Sequence, residues 1–194
     1  MTVARSASDW ARRAPWARPE RAGFVAGPRV ERGGEEVAAC SRVWAGAARV
    51  LADGVGSGGM AELATSVDVL HVAAHGRHEV ENPLFSEIEL AGGPWFGYDV
   101  EALPQVPEIV VLSACDLGAS TVRWAEEQVG MAAAWLHAGA RTVVASPAAL
   151  NDEVACALQP VFHEALAAGT PPADALAGLA ELGDLPLVCF GSGW

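Results

Sequence analysis

Lysine is absent from this chain: all twelve basic residues are arginine, set against twenty-four acids for a net charge of −12. That shortage of positive charge excludes nucleic acid as a direct partner, because phosphate binding needs a basic surface. It also leaves no compact ammonium group for catalysis. With alanine and glycine so abundant, the missing lysine reads as the codon bias of a GC-rich genome. Cysteine is sparse and scattered. Cys40, Cys115, Cys156 and Cys189 never approach a Cys-x-x-Cys spacing, which excludes a thioredoxin-type or zinc-ribbon site. Long apolar runs are also missing, both the ~18 residues of a membrane span and the shorter core of a secretion signal, so the sequence predicts a cytoplasmic protein without membrane contact. The glycine-rich Gly56-Ser-Gly-Gly59 has no Gly-Lys-Ser/Thr sequel and is no phosphate loop. His71 and His75 are spaced as helical metal ligands but lie in a strand-like run with no third ligand in view, so neither metal nor cofactor is expected.

What the chain does have is a core. Of its 194 residues, 52% are hydrophobic, enough for one domain. Two stretches stand out, Val67-Asp-Val-Leu-His-Val-Ala-Ala-His-Gly76 and Glu108-Ile-Val-Val-Leu-Ser-Ala-Cys-Asp116. Each is a run of Val, Ile and Leu ending in small residues, the pattern of a central parallel strand covered on both faces. Each delivers one reactive side chain, His75 or Cys115, where the strand stops. Since the carboxyl ends of parallel strands line the binding crevice of an open α/β sheet, the two residues can meet despite their separation in sequence. The pairing has a chemical purpose: a free thiol is only a few per cent thiolate at neutral pH, and an adjacent imidazole lowers its pKa or takes its proton. Gly76, without a Cβ, lets a substrate carbonyl approach, so its N–H and that of Cys115 are candidate oxyanion donors.

Elsewhere strand and helix signals alternate, the mark of an α/β fold. The spacing predicts a strand at Phe24–Ala26, a helix from Glu35 to Ala52, a loop from Val55 to Gly59, and a helix begun near Glu126 and closed by Gly139. A strand from Arg141 to Ser146, a helix capped by Asp152 and running to Ala167, a helix from Asp174 to Leu182 and a last strand at Leu187–Phe190 complete the pattern. The loop Arg77–Asn82 would overhang the crevice. His137 and His163 read as structural, and Cys40, Cys156 and Cys189 as core thiols.

Four segments in order, His71-Val-Ala-Ala-His-Gly76, Glu81-Asn-Pro-Leu-Phe-Ser-Glu-Ile-Glu-Leu90, Val110-Val-Leu-Ser-Ala-Cys-Asp-Leu-Gly118 and Ala138-Gly-Ala-Arg-Thr-Val-Val-Ala-Ser146, resemble the CHAT domain, a caspase-like, separase-related family of bacterial cysteine peptidases. The resemblance implies a three-layer α/β/α sandwich with a mainly parallel central sheet, and a catalytic dyad at His75 and Cys115 with oxyanion donors at Gly76 and Cys115. It also implies a protein or peptide substrate and a helical-repeat (TPR-like) regulatory partner in bacterial defence or signalling. Asp116, Ser146 and Asp152 are the candidate substrate-binding residues. For Asp152, capping the following helix is the competing reading. The family's Trp-containing turn after the Val-Ala-Ser strand is missing here. Residues 23–194 are expected to form the peptidase-like domain. Residues 1–22, with five arginines against two acids, would form a basic leader, disordered or the remnant of a shortened domain start. The expected activity is that of a cysteine endopeptidase, the alternatives being an idle interaction module with the same fold or an acyltransferase using the same dyad.

Overall fold

The structure, a computed structural model, describes residues 2–3, 11, 15–51, 56–77, 79, 82–113, 121–146, 151–180, 182 and 186–194, without the side chains of 83 and 121–129. Ten strands and six helices are described: β1 (Thr2–Val3), β2 (Ala22–Ala26), α1 (Gly33–Val43), β3 (Ala48–Leu51), α2 (Ser57–Ser66), β4 (Val69–Ala73), β5 (Gly76–Arg77), β6 (Glu87–Leu90), β7 (Gly93–Phe96), α3 (Gly97–Glu101), β8 (Ile109–Ser113), α4 (Thr121–Ala138), β9 (Thr142–Ala145), α5 (Asp152–Ala168), α6 (Pro172–Ala180) and β10 (Val188–Gly191). Seven strands form one sheet in the order β1-β10-β9-β8-β4-β2-β3, and β5-β6-β7 form a second, small one. In the large sheet only the β10–β9 pairing is antiparallel.

The two strand-like runs are the middle of that sheet. Every residue of β4 and β8 is buried, as expected of strands covered on both sides. Successive side chains alternate between two cores. Leu70, Val72, Val110 and Leu112 join one cluster with Met60 and Leu63 of α2 and Met131 and Trp135 of α4. Val69, Ala73, Ile109 and Val111 join the other, with Val37 and Cys40 of α1, Phe162 and Leu166 of α5 and Leu179 of α6. The small sheet docks on the first cluster through Trp95 of β7, whose ring centroid lies 5.5 Å from that of Trp135. Thr2 and Val3, at the start of the expected leader, pair with Cys189 and Phe190 of β10.

Three local expectations need correction. The single helix expected from Glu35 to Ala52 stops at Val43: Ala45 and Gly46 turn the chain at positive φ (40° and 92°), and Ala48–Leu51 become an edge strand on β2. Apolar residues at helical spacing were not decisive there, because pairing with an open sheet edge satisfies the backbone of that segment equally well. The expected loop around Gly56–Gly59 is instead the start of α2 at Ser57. The cap of α5 is Asn151, whose Oδ1 accepts from the N–H groups of Glu153 (2.8 Å) and Val154 (3.3 Å), and Asp152 is the first helical residue. The far end of α5 does close on a glycine: Gly169, at φ 95°, adopts the left-handed conformation that terminates helices.

Candidate active site

Parallel pairing decides which residues share the carboxyl edge of the sheet. β4 and β8 run in register from Val69 opposite Ile109 to Ala73 opposite Ser113, and the ladder extends one step further through Ala74 N–H to Ser113 O, 3.1 Å. β9 lies on the other side of β8, with Leu112 opposite Ala145. His75 therefore leaves the sheet beside the end of β8, and Ser146 leaves it one strand beyond. Ser146 is buried, and Asp152 is half-buried at the first turn of α5. Cys115 and Asp116 lie outside the described residues.

His75 is the junction between the two sheets. Its carbonyl accepts the Glu89 N–H at 2.8 Å, so His75 and Glu89 form a hydrogen-bonded pair of the antiparallel β5–β6 ladder. Gly76, opposite Ile88, then occupies the non-hydrogen-bonded position, and its own N–H is directed away from β6. The approach of the strands is close at that point: a Cβ on Gly76 would stand 3.0 Å from the Glu87 carbonyl oxygen. The His75 ring is held by Nε2, 3.1 Å from the carbonyl oxygen of Arg29. A carbonyl only accepts, so Nε2 carries the hydrogen, and in the neutral form of the ring the lone pair is on Nδ1. The histidine opens into a cleft of about 570 Å³ walled by Arg29, Arg77, Glu87 and Glu89. Within it, Arg29 pairs with Glu89, and Arg77 donates to Glu87 through two contacts of 3.2 Å, the hydrogen bond to Glu87 raising the Arg77 pKa above its ordinary value.

A second polar cluster, invisible to the spacing argument, is buried between the sheet and helices α1 and α5. Trp44 Nε1 lies 3.2 Å from His163 Nδ1, His163 Nε2 lies 2.9 Å from His71 Nδ1, and His71 Nε2 lies 3.0 Å from Glu36 Oε1. Glu36, His71 and His163 are at most 1% exposed. An indole N–H can only donate, and this fixes every tautomer in turn: Trp44 donates to His163, His163 to His71, and His71 to the Glu36 carboxylate. Burial, reinforced by His71, pushes the His163 pKa well below its ordinary value.

The Cys40 thiol lies nearby, with the potential ligand atoms of Cys40, His71 and His163 all within 4.8 Å of one another. The donor set nevertheless does not suit a metal. His163 Nε2 carries a hydrogen where a ligand needs a lone pair, and burial together with the Glu36 charge pushes the Cys40 thiol far above its ordinary pKa. The sequence held both partners, but a separation of ninety-two residues between His71 and His163 gave no signal of their meeting. Glu36, on the buried stripe of α1 two turns before Trp44, was the one available clue, as a charged residue among core positions.

The other thiols among the described residues are also shifted by burial. Burial pushes the Cys189 pKa up to about 12 and also raises that of half-buried Cys156.

A comparison with curated proteins finds no match. A family model, that of the CHAT domain, matches residues 4–179, beginning inside the expected leader and ending within helix α6. Caspase-like cysteine peptidase character is the general property of that family. Spanning nearly the whole chain, the match shows that this protein belongs to the CHAT domain family.

Proposed function

We propose that the chain is a cysteine endopeptidase of the caspase-like class, built on a three-layer α/β/α sandwich, with Cys115 as nucleophile and His75 as its base. The observation that carries this reading is the register of β4 and β8: Ala73 stands opposite Ser113, and His75 and Cys115 each follow by two residues. In the proposed reaction His75 Nδ1 takes the Cys115 thiol proton as sulfur attacks a peptide carbonyl. The tetrahedral oxyanion is held by the N–H groups of Gly76 and Cys115. His75 then returns the proton to the leaving amine, and water, deprotonated by the same ring, hydrolyses the thioester and regenerates the thiol. The Nε2–H bond to Arg29 supports this role, because it leaves the proton-accepting nitrogen on the other side of the ring.

Substrate side chains would be read by Asp116, Ser146 and Asp152. With the cap supplied by Asn151, the half-buried Asp152 carboxylate is available to take a basic residue before the cleaved bond. A helical-repeat partner in bacterial defence would control access in the cytoplasm.

Titration with iodoacetamide tests the dyad. One thiol, located at Cys115 by mass spectrometry, should react fast at about pH 6–7 and slow down in His75→Ala, while Cys40, Cys156 and Cys189, their pKa values raised by burial, react slowly. Uniformly slow thiols would refute the dyad. Cleavage of a denatured bacterial proteome, followed by sequencing of the new termini, then tests the peptidase: products must disappear in Cys115→Ala. A preference for Arg or Lys before the cut supports Asp152, and one for Leu or Met excludes it.

A further inference from the structure

We propose that Glu89 and Arg29 are positioning residues for His75, a role that rests on the dyad reading above. Three contacts close a ring around the histidine. Glu89 N–H fixes the His75 backbone carbonyl at 2.8 Å, the Arg29 carbonyl fixes the imidazole Nε2–H at 3.1 Å, and the Arg29 Nη2 group bonds both oxygens of the Glu89 carboxylate. One acidic residue thus holds the histidine directly through its main chain and indirectly through its side chain.

Arg29 is where the ring is under tension. Its φ of 62° lies in the left-handed region that a non-glycine residue adopts only when its surroundings impose it. The surroundings here are specific. The loop is pressed onto the end of β4, since Gly27 N–H donates to Ala73 O at 2.8 Å and a Cβ on Gly27 would meet Ala74 Cβ at 2.6 Å. The Arg29 side chain is otherwise largely exposed, 69%, with Glu89 as its anchor in the cleft. Releasing that anchor frees Arg29 to relax toward ordinary backbone angles, and its carbonyl swings away from Nε2. The imidazole then loses the bond that fixes its tautomer and keeps Nδ1 as the base.

The same strand supplies a control. Glu87 also faces the cleft and also pairs with an exposed arginine, Arg77, but its side chain supports neither end of His75. A positioning role therefore predicts that Glu89→Gln and Glu87→Gln differ, although both remove one partly exposed ion pair.

The experiment measures the rate of Cys115 alkylation by iodoacetamide against pH in the full chain, with the variants His75→Ala, Glu89→Gln, Glu89→Asp and Glu87→Gln, together with the imidazole nitrogen resonances of His75. Glu89→Gln should slow alkylation near pH 7 by about tenfold and convert the His75 signal from the Nε2–H tautomer to a mixture, with Glu89→Asp restoring much of both and Glu87→Gln changing neither. A slow His75→Ala beside an unchanged Glu89→Gln would overturn the positioning role and leave the dyad intact. An unchanged His75→Ala would remove the dyad, and this proposal with it. Equal effects of Glu89→Gln and Glu87→Gln would also overturn it, because the cleft charge alone would then be responsible.

Discussion

Acid should weaken this fold through one buried imidazole. His163 is fully buried and donates to His71, and burial holds its pKa well below the ordinary 6.5. As the pH falls through that ordinary value, the unfolded chain takes up a proton that the folded chain refuses. Stability is therefore complete above it and declines below it, by up to about 1.4 kcal/mol per pH unit until the folded pKa is reached. Between about pH 7.5 and about pH 5 the loss integrates to roughly 2 kcal/mol, or about 4 to 8 °C in Tm for a chain of this size.

Urea unfolding followed by tryptophan fluorescence measures this, with His163→Gln as the comparison. The glutamine amide can still accept from Trp44 and donate to His71 but does not titrate. The variant will be less stable at every pH, since it fills the site imperfectly, so the quantity that decides is the change with pH. That change should shrink by about 2 kcal/mol in His163→Gln. Equal losses in the two proteins would mean that His163 is not held neutral by the fold, and the sequence of donors from Trp44 to Glu36 would be wrong.

Gln159 is 1% exposed, and neither its amide nitrogen nor its amide oxygen has a partner among the described residues, so Gln159→Leu should stabilise the protein by roughly 1 to 2 kcal/mol. A lower urea midpoint would show that the amide is satisfied. Asp68 accepts the N–H groups of Glu20 and Arg21, each at 2.9 Å, and pairs with the Arg21 guanidinium. Burial raises the Asp68 pKa, but these contacts outweigh it and hold the carboxyl below its ordinary 3.8. This contribution is present above that value and is lost as pH falls through the folded pKa. Asp68→Asn should thus be less stable than wild type near neutrality, by about 1 kcal/mol at this partly exposed site, and equal to it in strong acid. A difference that persists in strong acid would point to packing as the cause.

The histidine run and the cysteine run were legible as central strands because both faces of each are covered, and a strand covered on both faces must be apolar throughout. The candidate base, Gly76 after it and the family followed from those segments and their order. The end of α1 was not legible, because Ala47 and Val50 continue a helical stripe in the sequence and only the open edge of β2 makes the segment a strand. The small sheet went unread as well. Glu87-Ile-Glu-Leu90 alternates as a strand should, but Gly76 and Arg77, its partners, are too short a run to show any period.

Sequence by itself determined the α/β class and the family and nominated the two residues of the proposed dyad, since these rest on local patterns of burial and on motifs. Tertiary structure alone decided what surrounds them. Arg29 O on Nε2, Glu89 on the His75 carbonyl and the chain from Trp44 to Glu36 all join residues of different elements, 46 positions apart for the first and 119 for the Trp44–His163 step. Contacts of that kind depend on which strands pair and which helices cover them, and no local period records that choice.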